Sequence, residues 1–310
     1  MRAAAVQIEA ELGNVDHNLA ACERQVDAAA AAGATWVALP EFFSTGVAFL
    51  PSLVETAPTP DGEPTQLLRS LARRHGIHVG GSTIVRDVDG HLRNAFVLAG
   101  PDGALLGRHD KDLPTMWENA LYTRGADPGR IRVSEDLTVG VALCWELMRT
   151  QTVTRLRGQV DVVMGGSGWW SIPSWPLFGA AEARNRVRAT SAPAVFARHV
   201  GSPVIHGAHA GAVPCRLLGT PLPYRGHFEG GAQICDADGR MLAFRHREQV
   251  EGFVMADVAP RRSHLAVEGG RFWLQRRGAL PAAFWAYQGV VGRRHYRRAV
   301  EQQLRAAVNA

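Results

Sequence analysis

The chain reads as an α/β domain of layered helices and mixed sheets. Three observations predict this: a strand-helix-strand unit at the start, apolar strands that recur between helical stripes, and the turn dipeptides Asp89-Gly90, Asp102-Gly103 and Asp238-Gly239, which insert hairpins into the alternation. With 310 residues, 46% of them hydrophobic, the chain is long enough to bury a large core, and no linker cuts it in two.

Residues 2–9 alternate as a short strand. Asn14 opens a helix whose apolar stripe runs Val15, Leu19, Cys22, Val26, Ala29 and Ala30 before Gly33 ends it. Residues 36–39 form a buried strand finishing at Pro40 and Glu41. Pro64 takes the first-turn place of a second helix that stops at Gly76, and strands follow at about 77–85 and 93–100. After a polar, irregular stretch containing Lys111 and Glu118, residues 137–144 make a continuous apolar strand ending in Cys144, where a helix begins. Residues 149–158 and 177–190 read as helices, and 160–164, 194–200, 230–236 and 252–257 as strands. Residues 201–229, rich in Gly, Pro and His, have no clear periodicity, which points to a lid, an oligomer contact or elements that periodicity fails to show. The main domain is therefore expected over residues 1–260, with 261–310 as a C-terminal tail that contacts another subunit.

Composition removes several classes of function. No apolar run reaches the length of a membrane span, and the first carboxylate, Glu9, arrives before a signal-peptide core could form, so a cytoplasmic protein without membrane contact is expected. The four cysteines, Cys22, Cys144, Cys215 and Cys235, show no paired spacing, which argues against a disulfide framework or a clustered zinc site. His199, His206, His209 and Cys215 fit no standard metal spacing either. The net charge is +5, and the segment after 260 carries ten arginines against two glutamates, interleaved with Phe272, Trp273, Phe284, Trp285 and Tyr287. That composition suits RNA or a neighbouring subunit; without a nucleic-acid motif, the subunit is the expectation.

The basic residues hold the sharper signal. Of 34, one is a lysine, Lys111. A compact ammonium and a planar guanidinium do different work, so Lys111 stands out as a position where arginine does not serve. Glu41, Lys111 and Cys144 all fall at the ends of elements, where folds of this kind place their sites. Together these types can run nucleophilic attack by sulfur on an electrophilic carbon. Glu41 takes the thiol proton, Cys144 attacks, and Lys111 with the backbone N–H of Trp145 stabilises the developing anion.

Three motifs in order carry a resemblance. Leu39-Pro40-Glu41-Phe42-Phe43-Ser44-Thr45-Gly46, then Lys111-Asp112-Leu113-Pro114-Thr115 with Glu118 and Gly125, then Gly140-Val141-Ala142-Leu143-Cys144-Trp145-Glu146 are similar to the nitrilase superfamily of carbon-nitrogen hydrolases. Phe228-Glu229-Gly230-Gly231-Ala232-Gln233-Ile234, running on to Asp238-Gly239, resembles its closing hairpin, so the likeness spans about residues 2–258. The resemblance implies a four-layer αββα sandwich with mixed sheets, assembled as a homodimer or larger homo-oligomer, with no metal or organic cofactor. It assigns Glu41 as general base, Cys144 as nucleophile, Lys111 as transition-state stabiliser and Glu118 as the second glutamate that orients substrate.

The implied activity is hydrolysis of a non-peptide carbon-nitrogen bond in a small amide through a thioester. Alternatives are a nitrile substrate, transfer of the acyl group to an amine, and a non-catalytic RNA- or protein-binding module on the same scaffold. Cys144-Trp145-Glu146 resembles the nitrilase form more than the Cys-Tyr-Asp common in amidases, while Leu147, Ala189, Thr190 and Arg198-His199-Val200-Gly201 depart from family patterns. Trp117, Trp145, Trp169 and Trp170 cluster around the motifs and are expected to form an apolar substrate wall.

Overall fold

Alternating side chains on the central strands face two different cores, and that alternation sets the architecture. In β1 (Arg2–Glu9), Ala3 and Ala5 enter one buried cluster, while Ala4, Val6 and Ile8 enter another. Phe96 and Leu98 part from Val97 and Ala99 in the same way. A sheet buried on both faces needs helices outside and a second layer of strands inside. The computed structural model, which describes residues 1–173, 179–262, 272–274 and 279–308, has that arrangement.

The first half contains β1, α1 (Val15–Ala31), β2 (Trp36–Ala38), α2 (Ser52–Glu55), α3 (Glu63–His75), β3 (His78–Arg86), β4 (Leu92–Ala99) and β5 (Leu105–Asp110). The second contains β6 (Arg130–Arg132), β7 (Thr138–Val141), α4 (Thr150–Leu156), β8 (Val162–Ser167), α5 (Gly179–Val200) and β9 (Val204–Ala210). There follow β10 (Ala212–Arg216), β11 (Pro223–His227), β12 (Gln233–Cys235), β13 (Met241–Phe244), β14 (Gly252–Asp257) and α6 (Ala279–Val308).

One sheet runs β5-β4-β3-β2-β1-β9-β8-β7-β6. The strands from β3 through β1 to β7 are parallel, and β4, β5 and β6 join antiparallel at the two ends. Those ends approach each other: a Cβ on Gly107 of β5 would lie 2.8 Å from Cγ2 of Ile131 on β6. The sheet therefore curls nearly into a barrel around an inner core in which Ala3, Ala5, Ala38 and Ala208 keep the layers close. Leu19, Val26, Leu68 and Leu71 of α1 and α3 cover one half from outside, and Val153, Leu156, Phe196 and Val200 of α4 and α5 cover the other. This is the expected αββα sandwich.

The expected caps hold: Asn14 Oδ1 accepts the His17 N–H at 3.2 Å, and Gly76 ends α3 at φ +64. Other expectations are corrected. The segment 194–200 is not a strand but the end of α5, because Ala192, Phe196, Ala197 and Val200 recur at helical spacing and Pro193 sits inside the helix without ending it. The chain after Cys144 forms a 3-10 turn, Cys144–Met148, and α4 starts only at Thr150. Residues 201–229 contain β9, buried along its whole length, and the hairpin β10–β11, whose prolines hide its alternation. Apart from these corrections, residues 272–274 and α6 of the tail pack on their own chain, while the expected subunit contact concerns other faces of the tail: Trp273 bridges to Arg149, and α6 lies against the 3-10 turn Met116–Ala120.

β8 brings two of these turns close. A Cβ on Gly165 would sit 2.0 Å from the Ala142 carbonyl oxygen, and one on Gly166 would sit 2.7 Å from the Glu41 backbone nitrogen. Both obstacles are backbone and cannot rotate aside. Gly166→Ala is expected to cost about 1–3 kcal/mol, read as a lower urea midpoint at unchanged m-value; an unchanged midpoint would contradict the close approach.

Candidate active site

Four chain segments leave the strands and meet. Glu41 follows β2, Lys111 follows β5, Glu118 lies in the turn Met116–Ala120, and Cys144 opens the turn after β7. All four side chains are fully buried. Lys111 Nζ donates to Glu41 Oε1 and to Glu118 Oε2, each at 2.7 Å. The Cys144 sulfur and one carboxylate oxygen each from Glu41 and Glu118 lie within 4.8 Å of one another. Three acidic or sulfur ligands at such distances are a donor set for a cation, and the Lys111 ammonium already supplies that charge between the two carboxylates.

Further donors fix the carboxylates. Asn94 Nδ2 donates to Glu41 Oε1 at 2.8 Å, and the Gly168 N–H donates to Oε2 at 3.2 Å. Glu118 Oε2 also accepts from the Thr115 N–H at 2.9 Å and from the Tyr122 hydroxyl, whereas its Oε1 is buried without a partner. His209 Nε2 meets the Glu41 carbonyl oxygen at 2.6 Å, and His206 Nε2 meets Ser167 Oγ at 3.0 Å, so these two histidines serve the scaffold. The backbone is strained at the same places: Phe42, Met116 and Cys144 have φ of 54, 48 and 47. For residues with side chains this costs about 1–3 kcal/mol each and persists only where surrounding contacts enforce it.

Burial and charge set the protonation states. Burial works against the Lys111 ammonium, but Glu118 and Glu41 overcome it and raise the pKa well above the usual lysine value. Burial pushes the Glu118 carboxyl up, Lys111 opposes this and Glu41 reinforces it, leaving the group at about 7. Burial, reinforced by Glu41 against the pull of Lys111, lifts the Cys144 thiol well above its ordinary value. The raised value favours the thiol form of Cys144, with the Glu41 carboxyl group in the same cluster.

The four expected tryptophans are buried neighbours of these groups. Trp117 precedes Glu118 and stacks on Trp170 at 4.1 Å; Trp145 follows Cys144 and packs against Trp169 at 5.7 Å. Asn185 of α5 holds that wall, accepting from Trp169 Nε1 at 3.2 Å and donating to the Trp170 carbonyl at 3.1 Å. Sequence reasoning missed Asn94, Tyr122, Asn185 and Trp273, the last of which meets Trp145 edge-on at 5.7 Å. The one signal for Asn94 was an amide standing at the head of the apolar run 95–99.

Comparison with known proteins gives consistent likenesses. A family model described as carbon-nitrogen hydrolase matches residues 2–264. Omega-amidase NIT2 of Mus musculus is 36% identical over 211 residues, which cover 62% of this chain and 74% of that protein. Omega-amidase NIT2-A of Xenopus laevis is 32% identical over 149 residues, 42% of this chain and 50% of that protein, so some alignments span only half of the relative. A nitrilase of Pyrococcus abyssi is 30% identical over 169 residues, covering 53% and 63%. Among solved structures, Saccharomyces cerevisiae Nit3, a member of branch 10 of the nitrilase superfamily, superposes with a TM-score of 0.67 at 17% identity, covering 84% of this chain and 90% of that one. The amidase from Nesterenkonia sp. AN1 gives 0.64 at 17% identity, covering 83% and 92%. The two structures share the fold.

Glu146, two residues beyond Cys144, ties two of the turns together. Its carboxylate accepts the Leu143 N–H at 2.9 Å and the Asp112 N–H at 3.1 Å, which lie next to Cys144 and Lys111. Buried His109 stands behind it, with Nε2 3.2 Å from Glu146 Oε2 and Nδ1 2.6 Å from Asp127 Oδ1. Burial lowers the imidazole's pKa, but Glu146 and Asp127 overcome this and raise it from 6.5 to about 9. A raised folded-state value means that the imidazolium stabilises the fold fully below pH 6.5 and loses that contribution as pH passes about 9. The thermal midpoint of His109→Gln should therefore trail wild type by a wide margin in mildly acidic buffer and by a shrinking margin through about pH 9. A margin independent of pH would show that His109 is neutral.

Proposed function

The chain belongs to the carbon-nitrogen hydrolase family, and from that premise we propose that it hydrolyses a small amide through a cysteine thioester. One observation carries the reading: a single ammonium 2.7 Å from two buried carboxylates, with the Cys144 sulfur in the same cluster. Glu41 accepts the thiol proton as Cys144 Sγ bonds to the amide carbon. The oxygen that gains charge is met by Lys111 and the Trp145 N–H. Glu41 then passes its proton to the amide nitrogen, the carbon-nitrogen bond breaks, and ammonia leaves a thioester. Water gives a proton to Glu41 and adds to the thioester carbon, and collapse expels the sulfur, which takes the proton back as the acid departs. Glu118 orients the leaving amide through the oxygen that has no partner of its own. Trp117, Trp145, Trp169 and Trp170 face the acyl portion.

Names among the relatives place omega-amides first in a substrate panel and nitriles second. Four free cysteines support a reducing, cytoplasmic setting, and exposed Phe284, Tyr287 and Val290 on α6 support a homo-oligomer. Among the described residues no helix is long and apolar enough to cross a membrane.

Intact-protein mass spectrometry with parallel ammonia release tests the reading. Wild type incubated with the panel should show an acyl adduct and turnover, both lost in Cys144→Ala; turnover that survives in Cys144→Ala would refute thiol catalysis. Lys111→Arg keeps the charge but replaces a tetrahedral donor with a planar one, and its kcat should fall by about a hundredfold or more. Near wild-type turnover in folded Lys111→Arg would remove Lys111 from the transition state.

A further inference from the structure

The turn that carries Glu118 is poorly able to hold itself. It is a 3-10 turn of 5 residues that enters through Met116 at φ 48, and short 3-10 segments have weak hydrogen-bond geometry. Within the turn, Asn119 Nδ2 donates to the carbonyls of Pro114 and Met116 at 3.2 and 2.8 Å. Lys111, the Thr115 N–H and the Tyr122 hydroxyl bond Glu118, and Trp117 packs on Trp170 and Tyr224. A further support comes from α6, which begins after the family match has ended at residue 264.

Gly292 is where the two surfaces touch. A Cβ on it would lie 2.7 Å from the Asn119 Cβ, 3.0 Å from the Asn119 carbonyl carbon and 3.1 Å from the Ala120 nitrogen. Glycine weakens a helix interior, so close approach is the reason that fits its presence here. One residue on, Arg293 Nη1 donates to Asn119 Oδ1 at 3.3 Å. One helical turn from Gly292, the buried Tyr296 hydroxyl accepts the Leu92 N–H at 2.9 Å. Leu92 starts β4, whose Asn94 donates to Glu41 and accepts the Lys111 N–H on its carbonyl at 2.9 Å. One helix face thus grips both the turn of Glu118 and the strand that orients Glu41 and Lys111.

We infer that α6 is an intramolecular brace that positions Glu118 for catalysis, with Gly292 as its contact residue and Tyr296 as its second anchor. The brace rests on the hydrolase reading for its purpose, but its mechanical part can be measured without turnover. Gly292→Val drives two methyl groups and a Cβ into the Asn119 backbone, and Tyr296→Phe removes the hydroxyl that accepts the Leu92 N–H and meets His91 Nδ1 at 3.2 Å.

The test compares wild type, Gly292→Val, Tyr296→Phe and the exposed control Arg294→Ala by amide turnover, by iodoacetamide labelling of Cys144, and by hydrogen exchange of peptides covering 113–125 and 138–148. Gly292→Val is expected to lower kcat about tenfold or more with KM changed less than about threefold, because a small misplacement of a positioned group acts on the chemical step. Exchange across 113–125 should quicken, exchange across 138–148 and the labelling rate should stay near wild type, and Arg294→Ala should change nothing. A folded Gly292→Val with unchanged kcat and unchanged exchange overturns the brace. So does a loss of activity with exchange raised equally in both peptides, since that is general loosening. Should Gly292→Val not fold, Tyr296→Phe decides: faster exchange around 92–94 with reduced kcat supports the brace, and no change in either overturns it. If wild type releases no ammonia from any amide, the hydrolase reading fails, and the exchange comparison alone still decides whether α6 holds the turn.

Discussion

Two buried carboxylates share one buried ammonium, and the rest of the site depends on that unequal arrangement. Glu41 and Glu118 lie on segments that leave different parts of the sheet, and Lys111 is the charge that lets both stay inside. Removing one member of a buried ion pair typically costs about 3–5 kcal/mol, because an uncompensated charge is left behind. Burial first, and then the charge of Glu41, raise the pKa of Glu118 to about 7 against the pull of Lys111, which relieves the surplus of negative charge. Burial, reinforced by Glu41, likewise raises the pKa of the neighbouring thiol. Strain at Phe42, Met116 and Cys144 persists because the ionic knot and the packed glycines of β8 leave these turns no other way to fit.

The supports are layered around this knot. Glu146 and His109 tie the Cys144 turn to the Lys111 segment from behind, Asn185 holds the tryptophan cluster, and Trp273 closes on Trp145 from the tail. None of these side chains bonds to Lys111 or to the two carboxylates, yet each fixes a neighbour of a group that does. Contributions from opposite ends of the chain explain why the fold brings β1, β9 and β14 together at its centre.

Much of this was legible in the chain because its signals are local. Asn14 and Gly76 mark helix ends by their own chemistry, and Glu41, Lys111 and Cys144 stand where apolar strands stop. Lys111 was conspicuous among arginines, while Glu118 needed the family resemblance to be distinguished from a surface carboxylate. What stayed hidden is nonlocal. Asn94 and Tyr122 matter through partners far along the chain, and positive φ at Cys144 is enforced by packing that no dipeptide encodes. α5 ran past its expected end because Pro193 broke the pattern on paper without breaking the helix, and β9 carries histidines on a buried strand. α6 escaped notice since glycines and arginines blur its stripe; one of those glycines is there to let the helix come close.

The complete enclosure of Cys144 has a consequence for the life of the protein between turnovers. Peroxide and adventitious electrophiles react with thiolates that they can reach, and burial with a raised thiol pKa slows both steps at this sulfur. In the proposed mechanism, a molecule that fits between the tryptophans and offers Lys111 an oxygen is what draws the thiol proton to Glu41. Under that proposal, selectivity for substrate and resistance to oxidative wear become a single property: the enclosure that conceals the sulfur also keeps it intact.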